Sequence, residues 1–326
     1  MRRRDIFPLI GAAAALPLRA RAQQPSTPVI GWLHSGTAKD NSQEASAFRQ
    51  GLSQAGYVEG RDVAIEYRWV ENHLDRLPAL IADLIGRPVA VIAACGNPAV
   101  ALAAKAATTS IPIVFENGAD PVQLGLVQSF NHPGGNITGF TNISAELAAK
   151  RMGVLRELAP SAKSIAVLVN PARPGTEAQI AQVQEAASRI GLPLHVFKAT
   201  SEREIDAAFP ALVESGAGGL VITTDVMFND RREQIVALAK RYAVPTIYEW
   251  RSFALAGGLV SYGPDRLASY RQAGVLVGRI LKGEKAGDLP VMRPSKFELI
   301  INMKAAKALG IEVPTSMQLL ADEVIE

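Results

Sequence analysis

With a single cysteine, Cys95, the chain can form no internal disulfide and no thiolate metal cluster. Histidine is scarce too. His34, His73, His132 and His195 stand far apart, and no H-E-x-x-H pair of zinc ligands occurs. There is no G-x-S-x-G nucleophile elbow and no G-x-x-x-x-G-K-[ST] phosphate loop. The glycine-rich stretch Pro133 to Gly139 (PGGNITG) departs from G-x-G-x-x-G and lacks the strand-then-helix setting of a dinucleotide site. These absences remove the enzyme classes that carry a linear motif. A site assembled only in space, as in an exported Asp-based hydrolase, stays open as the enzyme alternative.

Long apolar runs are missing as well. The run from Ile6 to Leu18 is 13 residues and holds Pro8, Gly11 and Pro17, short of the roughly 20 that a spanning helix needs. On its N-terminal side stands the basic group Arg2-Arg3-Arg4, and on its C-terminal side Ala20-Arg21-Ala22, a small-x-small cleavage pattern. A basic head, an apolar middle and such a site make an export leader over residues 1–22, cut after Ala22. Arg3-Arg4 ahead of Ile6-Phe7 points to the twin-arginine route. A lipid anchor requires a cysteine at the cut, so the mature chain is expected to be a soluble, monomeric periplasmic protein. Cys95, inside the apolar run that begins at Val89, is expected to be buried and inert.

The leader also explains the charge. The whole chain has 34 Lys+Arg against 31 Asp+Glu. Without Arg2, Arg3, Arg4, Arg19, Arg21 and Asp5 the balance is 29 against 30. No basic tract with interleaved aromatics remains, so nucleic acid is not an expected partner.

What the sequence does hold is rhythm. Short Val/Ile/Leu runs alternate with amphipathic segments. Strands are predicted at 28–33, 63–67, 89–93, 111–115, 164–169, 193–197, 219–223, 245–247, 258–262 and 297–301. Helices are predicted at 41–56, 74–86, 98–107, 145–158, 177–190, 202–214, 230–242 and 265–282. Continuous apolar runs indicate parallel sheets covered on both faces, and strand–helix alternation indicates doubly wound α/β architecture. About 300 residues exceed one ordinary core, so two lobes are expected, with the break at 133–139.

Particular segments carry a family resemblance. They are Phe48–Leu52 (FRQGL) with Gly56–Gly60 (GYVEG), Ile111–Phe115, Ala119–Val122 (ADPV), Gly125–Val127 and Pro133–Gly139. Further along come Tyr248–Arg251 (YEWR), Gly257–Gly263 (GGLVSYG), Gly278–Gly283 (GRILKG), Phe297–Leu299 and Ala308–Ile311. In order and spacing the chain resembles ABC-transporter substrate-binding proteins of the periplasmic binding protein type I fold. The similarity is to the branch that includes tryptophan- and other aromatic-amino-acid-binding members. The resemblance implies two lobes, 28–139 with 264–288 and 140–263 with 296–326, joined by three crossings near 139–142, 262–265 and 288–296. It implies a ligand cleft between the lobes, no cofactor or metal, and a membrane permease as partner. A periplasmic sensor that reports to a membrane kinase is the other non-enzymatic reading.

Ligands of open parallel sheets sit beyond the carboxyl ends of strands, where helix N-termini also point. Residues just after each predicted strand are therefore the candidates. Ser35 lies in a hydroxyl- and glycine-containing loop that suits a carboxylate. Asn97 before Pro98 reads as a helix cap that can also face a cleft. Asp120 precedes Pro121, so turn chemistry competes with an ammonium-binding role. Asn142 follows the first crossing. Asp225 follows Leu220–Thr224 and leads the set as a carboxylate for a bound ammonium. Tyr248 can stack on a ligand or donate its hydroxyl, against inter-lobe packing. Glu249 reads as a second carboxylate or a solvated charge. Trp32 and Trp69 read as core, and Trp250 as helix-start packing. Together these residues permit an amino acid or an aromatic compound, captured by lobe closure.

Overall fold

The computed structural model describes residues 27–142 and 145–326; the predicted export leader lies outside the described residues. The first sheet is parallel throughout, in the order β2-β1-β3-β4-β5. Its strands are β1 (Val29–His34), β2 (Ala64–Trp69), β3 (Val89–Gly96), β4 (Ile113–Asn117) and β5 (Ile137–Thr141). The helices between them are α1 (Ser42–Gln54), α2 (Leu77–Ile85) and α3 (Pro98–Ala107). Alternate residues of β3 feed two separate cores. Val91, Ala93 and Cys95 join Trp32 and Phe48 on one face, while Ile92 and Ala94 join Leu33 and Leu84 on the other. A strand that must bury both faces has no polar position to alternate with, which is why β3 is continuously apolar.

The second sheet runs β12-β11-β10-β9-β8-β6-β7. It is built from α4 (Ala145–Leu158), β6 (Ile165–Val169), α5 (Thr176–Arg189), β7 (Leu194–Lys198), α6 (Glu202–Glu214) and β8 (Leu220–Ile222). These are succeeded by α7 (Val226–Asp230), α8 (Arg232–Arg241), β9 (Thr246–Tyr248), α9 (Arg251–Leu255) and β10 (Val260–Pro264). Then come α10 (Arg266–Leu281), β11 (Phe297–Asn302), α11 (Met303–Ala308), α12 (Thr315–Leu320) and β12 (Glu323–Ile325). Ile165, Val167 and Val169 point into one core of this sheet, Ala166 and Leu168 into the other. Both lobes are thus doubly wound.

The chain passes between the sheets three times: after β5, after β10, and between Met292 and β11. Helix α10 returns to the first sheet, where Tyr270, Ala273, Leu276 and Val277 join the Trp32 core. The segment after it stays there. Thr138 Oγ1 donates to the Leu289 carbonyl at 2.7 Å and the Met292 N–H donates to the Gly139 carbonyl at 2.9 Å.

Four details depart from the periodicity reading. Residues 137–139, read as part of a glycine-rich break, begin β5. The apolar signal there is short, and its pairing partner, β4, lies about 20 residues earlier in the chain. β11 is antiparallel to β10, a direction that side-chain pattern does not encode. The helix predicted at 230–242 is present as α8, but a five-residue helix capped by Asp225, α7, precedes it unpredicted. β12 is a three-residue edge strand, too short to show a period.

The α1–α10 contact brings two backbones together. A Cβ added at Gly274 would lie 2.2 Å from the Phe48 carbonyl oxygen, and one at Gly51 would lie 1.9 Å from that of Arg271. Alanine is favoured over glycine in a helix by about 1 kcal/mol, but overpacking against backbone costs about 1–3 kcal/mol. Gly274→Ala is therefore expected to lower the urea midpoint of unfolding. Gly153→Ala, on α4 where an added Cβ meets nothing within 4 Å, is expected to hold or raise it. Equal midpoints for the two variants would show that the close helix contact does not govern stability.

Candidate ligand site

The carboxyl ends of the two sheets face each other, and three glycines make room for the meeting. A Cβ at Gly36 would approach Val226 Cγ1 to 3.0 Å, one at Gly96 would approach Val226 Cγ2 to 3.2 Å, and one at Gly118 would approach Thr224 Cγ2 to 2.9 Å. The lobes are closed on one another. Asp230 at the end of α7 seals one side: its Oδ1 accepts from Asn41 Nδ2 at 3.1 Å and its Oδ2 from Asn72 Nδ2 at 3.0 Å, both across the cleft. Arg266, at the start of α10, pairs with Glu44 and reaches over the ring of Trp250 at 5.9 Å.

These contacts enclose a chamber of about 20 Å³. Glu116, Asn117, Asn142, Arg266 and Tyr270 line it from the first lobe, and Arg173, Thr224, Asp225, Asn229 and Trp250 from the second. Past Trp250 and Arg266 lies a groove of about 420 Å³. Past Gly118 and Arg173 lies a mouth of about 100 Å³.

Each charged group in the chamber has a distinct support. Asp225 caps α7, its Oδ1 accepting from the N–H of Met227 at 2.9 Å and of Phe228 at 3.4 Å, while Oδ2 is buried, makes no hydrogen bond of ordinary geometry and has the Asn170 side chain nearby. Burial pushes its carboxyl above the usual range, and Arg173 and Asn170 beside it oppose that shift. Arg173 sits in the loop after β6. Its Nη1 donates to the Pro174 carbonyl at 3.2 Å, whereas Nη2 is buried with no partner. Burial lowers its pKa, against the pull of Asp225 and Glu249. Arg173 and Asp225 feel each other's charge, yet no ion pair joins them among the described residues.

On the first lobe, Glu116 Oε1 accepts from Asn142 Nδ2 and from Ser269 Oγ, both at 2.8 Å. Burial raises its pKa, and Arg266 restrains the rise. Asn142 Oδ1 is left buried and unpaired. So is Asn117 Nδ2, whose own Oδ1 accepts from the Ala119 N–H at 3.0 Å. His34 Nδ1 accepts from the Gly36 N–H at 3.0 Å, so the neutral ring carries its proton on Nε2 and donates it to Tyr270 Oη at 2.9 Å. Burial, then Arg266, holds the His34 pKa well below the usual value.

Of the six residues singled out in the sequence, the structure brings two into the chamber, Asn142 and Asp225. Asp120 lines the mouth, with its Oδ1 closing a turn onto the N–H groups of Val122 and Gln123. Asn97 caps α3 by accepting from the Ala99 N–H. Ser35 is a staple between strand ends, its Oγ accepting the Asn97 N–H at 2.9 Å. Tyr248 is not brought to the cleft. Its ring stacks on Phe253 in the core of the second lobe, 4.6 Å between centroids, and Trp250, two residues on, reaches the chamber in its place. Glu249 is not solvated: it is buried and lies 3.3 Å from Arg151.

The chamber residues that sequence reasoning passed over have recognisable signals. Glu116 is a charge directly after an apolar strand signal. Arg173 is the lone cation in the loop after β6. Arg266 and Tyr270 open a helix that comes after a crossing, so their helix N-terminus faces the cleft even though no strand of their own lobe precedes them.

Asp230 supplies a pH test. In the closed form burial raises its carboxyl to about 6, against hydrogen bonds from Asn72 and Asn41. A group whose pKa is raised by closing stabilises the closed form below its open-state value, near 3.8, and loses that contribution as pH rises through about 6. Asp225, Glu116 and Glu249, all shifted upward by burial, act in the same direction. Ligand-free protein is expected to become more compact in small-angle scattering as pH falls from 7.5 to 5, with a smaller change in Asp230→Asn. A radius of gyration that grows on acidification would contradict this.

The fold has counterparts among known proteins. The family model for ABC transporter substrate binding proteins matches residues 35–325. A "Tyrosine-binding protein" of Clostridioides difficile strain R20291 is 26% identical over 265 residues, 81% of this chain and 76% of that protein. A conserved domain protein from Vibrio cholerae superposes with a TM-score of 0.86 at 24% identity, covering 91% of this chain and 99% of the other. An ABC domain in complex with L-Trp from Streptococcus pneumoniae gives 0.85 at 24% identity, covering 92% and 100%. With its family model spanning nearly all of both lobes, the chain belongs to the ABC transporter substrate binding protein family.

Proposed function

We propose that this protein is the periplasmic solute-binding component of an ABC importer and that it holds an α-amino acid in zwitterionic form between its lobes. The observation that carries the reading is a set of four buried polar atoms without partners around one chamber. Two are donors, Arg173 Nη2 and Asn117 Nδ2. Two are acceptors, Asp225 Oδ2 and Asn142 Oδ1. Each lobe supplies one of each kind. An α-carboxylate takes the donors and an α-ammonium takes the acceptors, so the ligand head joins both lobes at once.

The side chain then runs past Trp250 and Arg266 into the adjoining groove. Trp250 lines both the chamber and that groove, and Tyr270 lines the chamber, which favours an aromatic side chain. Two relatives, one named a tyrosine-binding protein and one an L-Trp complex, make L-tyrosine and L-tryptophan the first ligands to try. The chamber is far smaller than an amino acid, so the lobes must part to admit one. A ligand shifts the open–closed balance only by its differential affinity for the two forms, and the four unpaired atoms supply that difference. The closed form is the one presented to a membrane permease. No bond of the ligand is made or broken.

Binding of the matching amino acid is expected to raise the melting temperature by mass action. A hydrogen bond to a charged group contributes about 1.5–3 kcal/mol, so Asp225→Asn and Arg173→Leu should each weaken binding about 10- to 150-fold by calorimetry. The decarboxylated amines tyramine and tryptamine should not compete. Wild-type affinity in both variants would overturn the site, and turnover of the bound compound would overturn the function.

A further inference from the structure

At the end of the second lobe farthest from the cleft lies a cavity of about 180 Å³ that takes no part in the chamber. It opens where β9 and β10 begin, whereas the cleft lies where β9 ends. Its walls are apolar, with Ala239 of α8, Leu259 before β10 and Ala305 of α11 among them. Its lining includes Tyr248, wholly buried, whose hydroxyl makes no hydrogen bond of ordinary geometry and has the Thr246 hydroxyl nearby. At its rim stand Lys240, in the last turn of α8, and Lys304, in the first turn of α11. Both are exposed and neither is in an ion pair among the described residues.

A closed apolar cavity of about 150 Å³ accommodates one benzene ring, so this volume matches a single ring with a small substituent. The two ammonium groups at the rim complement a negative charge. A buried tyrosine hydroxyl among apolar walls is a polar contact left for an occupant to complete. We propose that the second lobe carries a separate small-molecule site, for a ring-sized apolar monocarboxylate. The ring lies against Ala239, Leu259 and Ala305, and the carboxylate meets Lys240 and Lys304. The site is independent of the amino-acid reading of the cleft.

Benzoate is the probe, and benzyl alcohol its uncharged counterpart. Ligand-observed NMR on the full chain is expected to show both binding in the millimolar range or tighter. Lys240→Gln combined with Lys304→Gln should weaken benzoate at least about threefold, as the loss of exposed charge pairs does, and leave benzyl alcohol unchanged. These lysines are exposed, so this variant keeps its fold. Ala305→Phe should remove both signals by filling the cavity, and Arg173→Leu in the cleft should alter neither. No benzoate signal at about 10 mM, an unchanged affinity in the lysine variant, or loss of benzoate in Arg173→Leu with retention in Ala305→Phe would each overturn the proposal. The last result would place the acid in the cleft.

Discussion

Arg266 is the charge around which the two lobes are arranged. It is the first residue of α10, yet it touches both lobes. It pairs with Glu44 of α1, donates to Asn41 Oδ1 at 3.1 Å, and lies over the rings of Tyr270 and Trp250. Burial alone would lower its pKa, but Glu44, Tyr270, Glu116 and Asp230 more than offset that and keep it charged. In return its field eases the burial of Glu116 and Asp230. Removing one member of such a buried set leaves an uncompensated charge, a far larger cost than any one pair contributes.

The position of Arg266 depends in turn on helix packing. Gly51 and Gly274 let α1 and α10 approach until backbone meets backbone, which ties α10 to the first lobe although it comes after a strand of the second. Its first turn then points into the cleft. Sequence, packing and site are thus linked through two absent side chains, because any Cβ there would push α10, and with it Arg266 and Tyr270, away from the chamber.

Closure leaves a polar debt that a ligand is suited to settle. An unsatisfied buried donor or acceptor costs about 1–3 kcal/mol. Four of them at the chamber amount to about 4–12 kcal/mol, a range that contains the roughly 5.5 kcal/mol needed to carry a two-state balance from 1:99 to 99:1. In the proposed function this is the physical content of capture. The closed form is incomplete alone and completed by a zwitterion, while the Asp230 contacts to Asn41 and Asn72 define its geometry without touching the ligand.

Much of the architecture was legible in the residue pattern, because a strand buried on both faces must be continuously apolar and a covering helix must be amphipathic. β3, α4 and α6 obey that rule directly. So does the inertness expected of Cys95, which is buried, its thiol pKa pushed well up first by burial and then by Glu116. The rule that ligands gather beyond strand ends led to Asp225 and Asn142. It also selected Asn97 and Ser35, whose polar atoms are taken up in capping and stapling the same loops. What composition and period determined by themselves was a two-lobed parallel α/β chain without a motif for catalysis. Which polar groups remain unpaired was decided only by tertiary structure. That property belongs to no single residue: it depends on the distance between Arg173 and Asp225, the hydrogen bonds already held by Asn117 and Asn142, and the return of α10 to the first sheet.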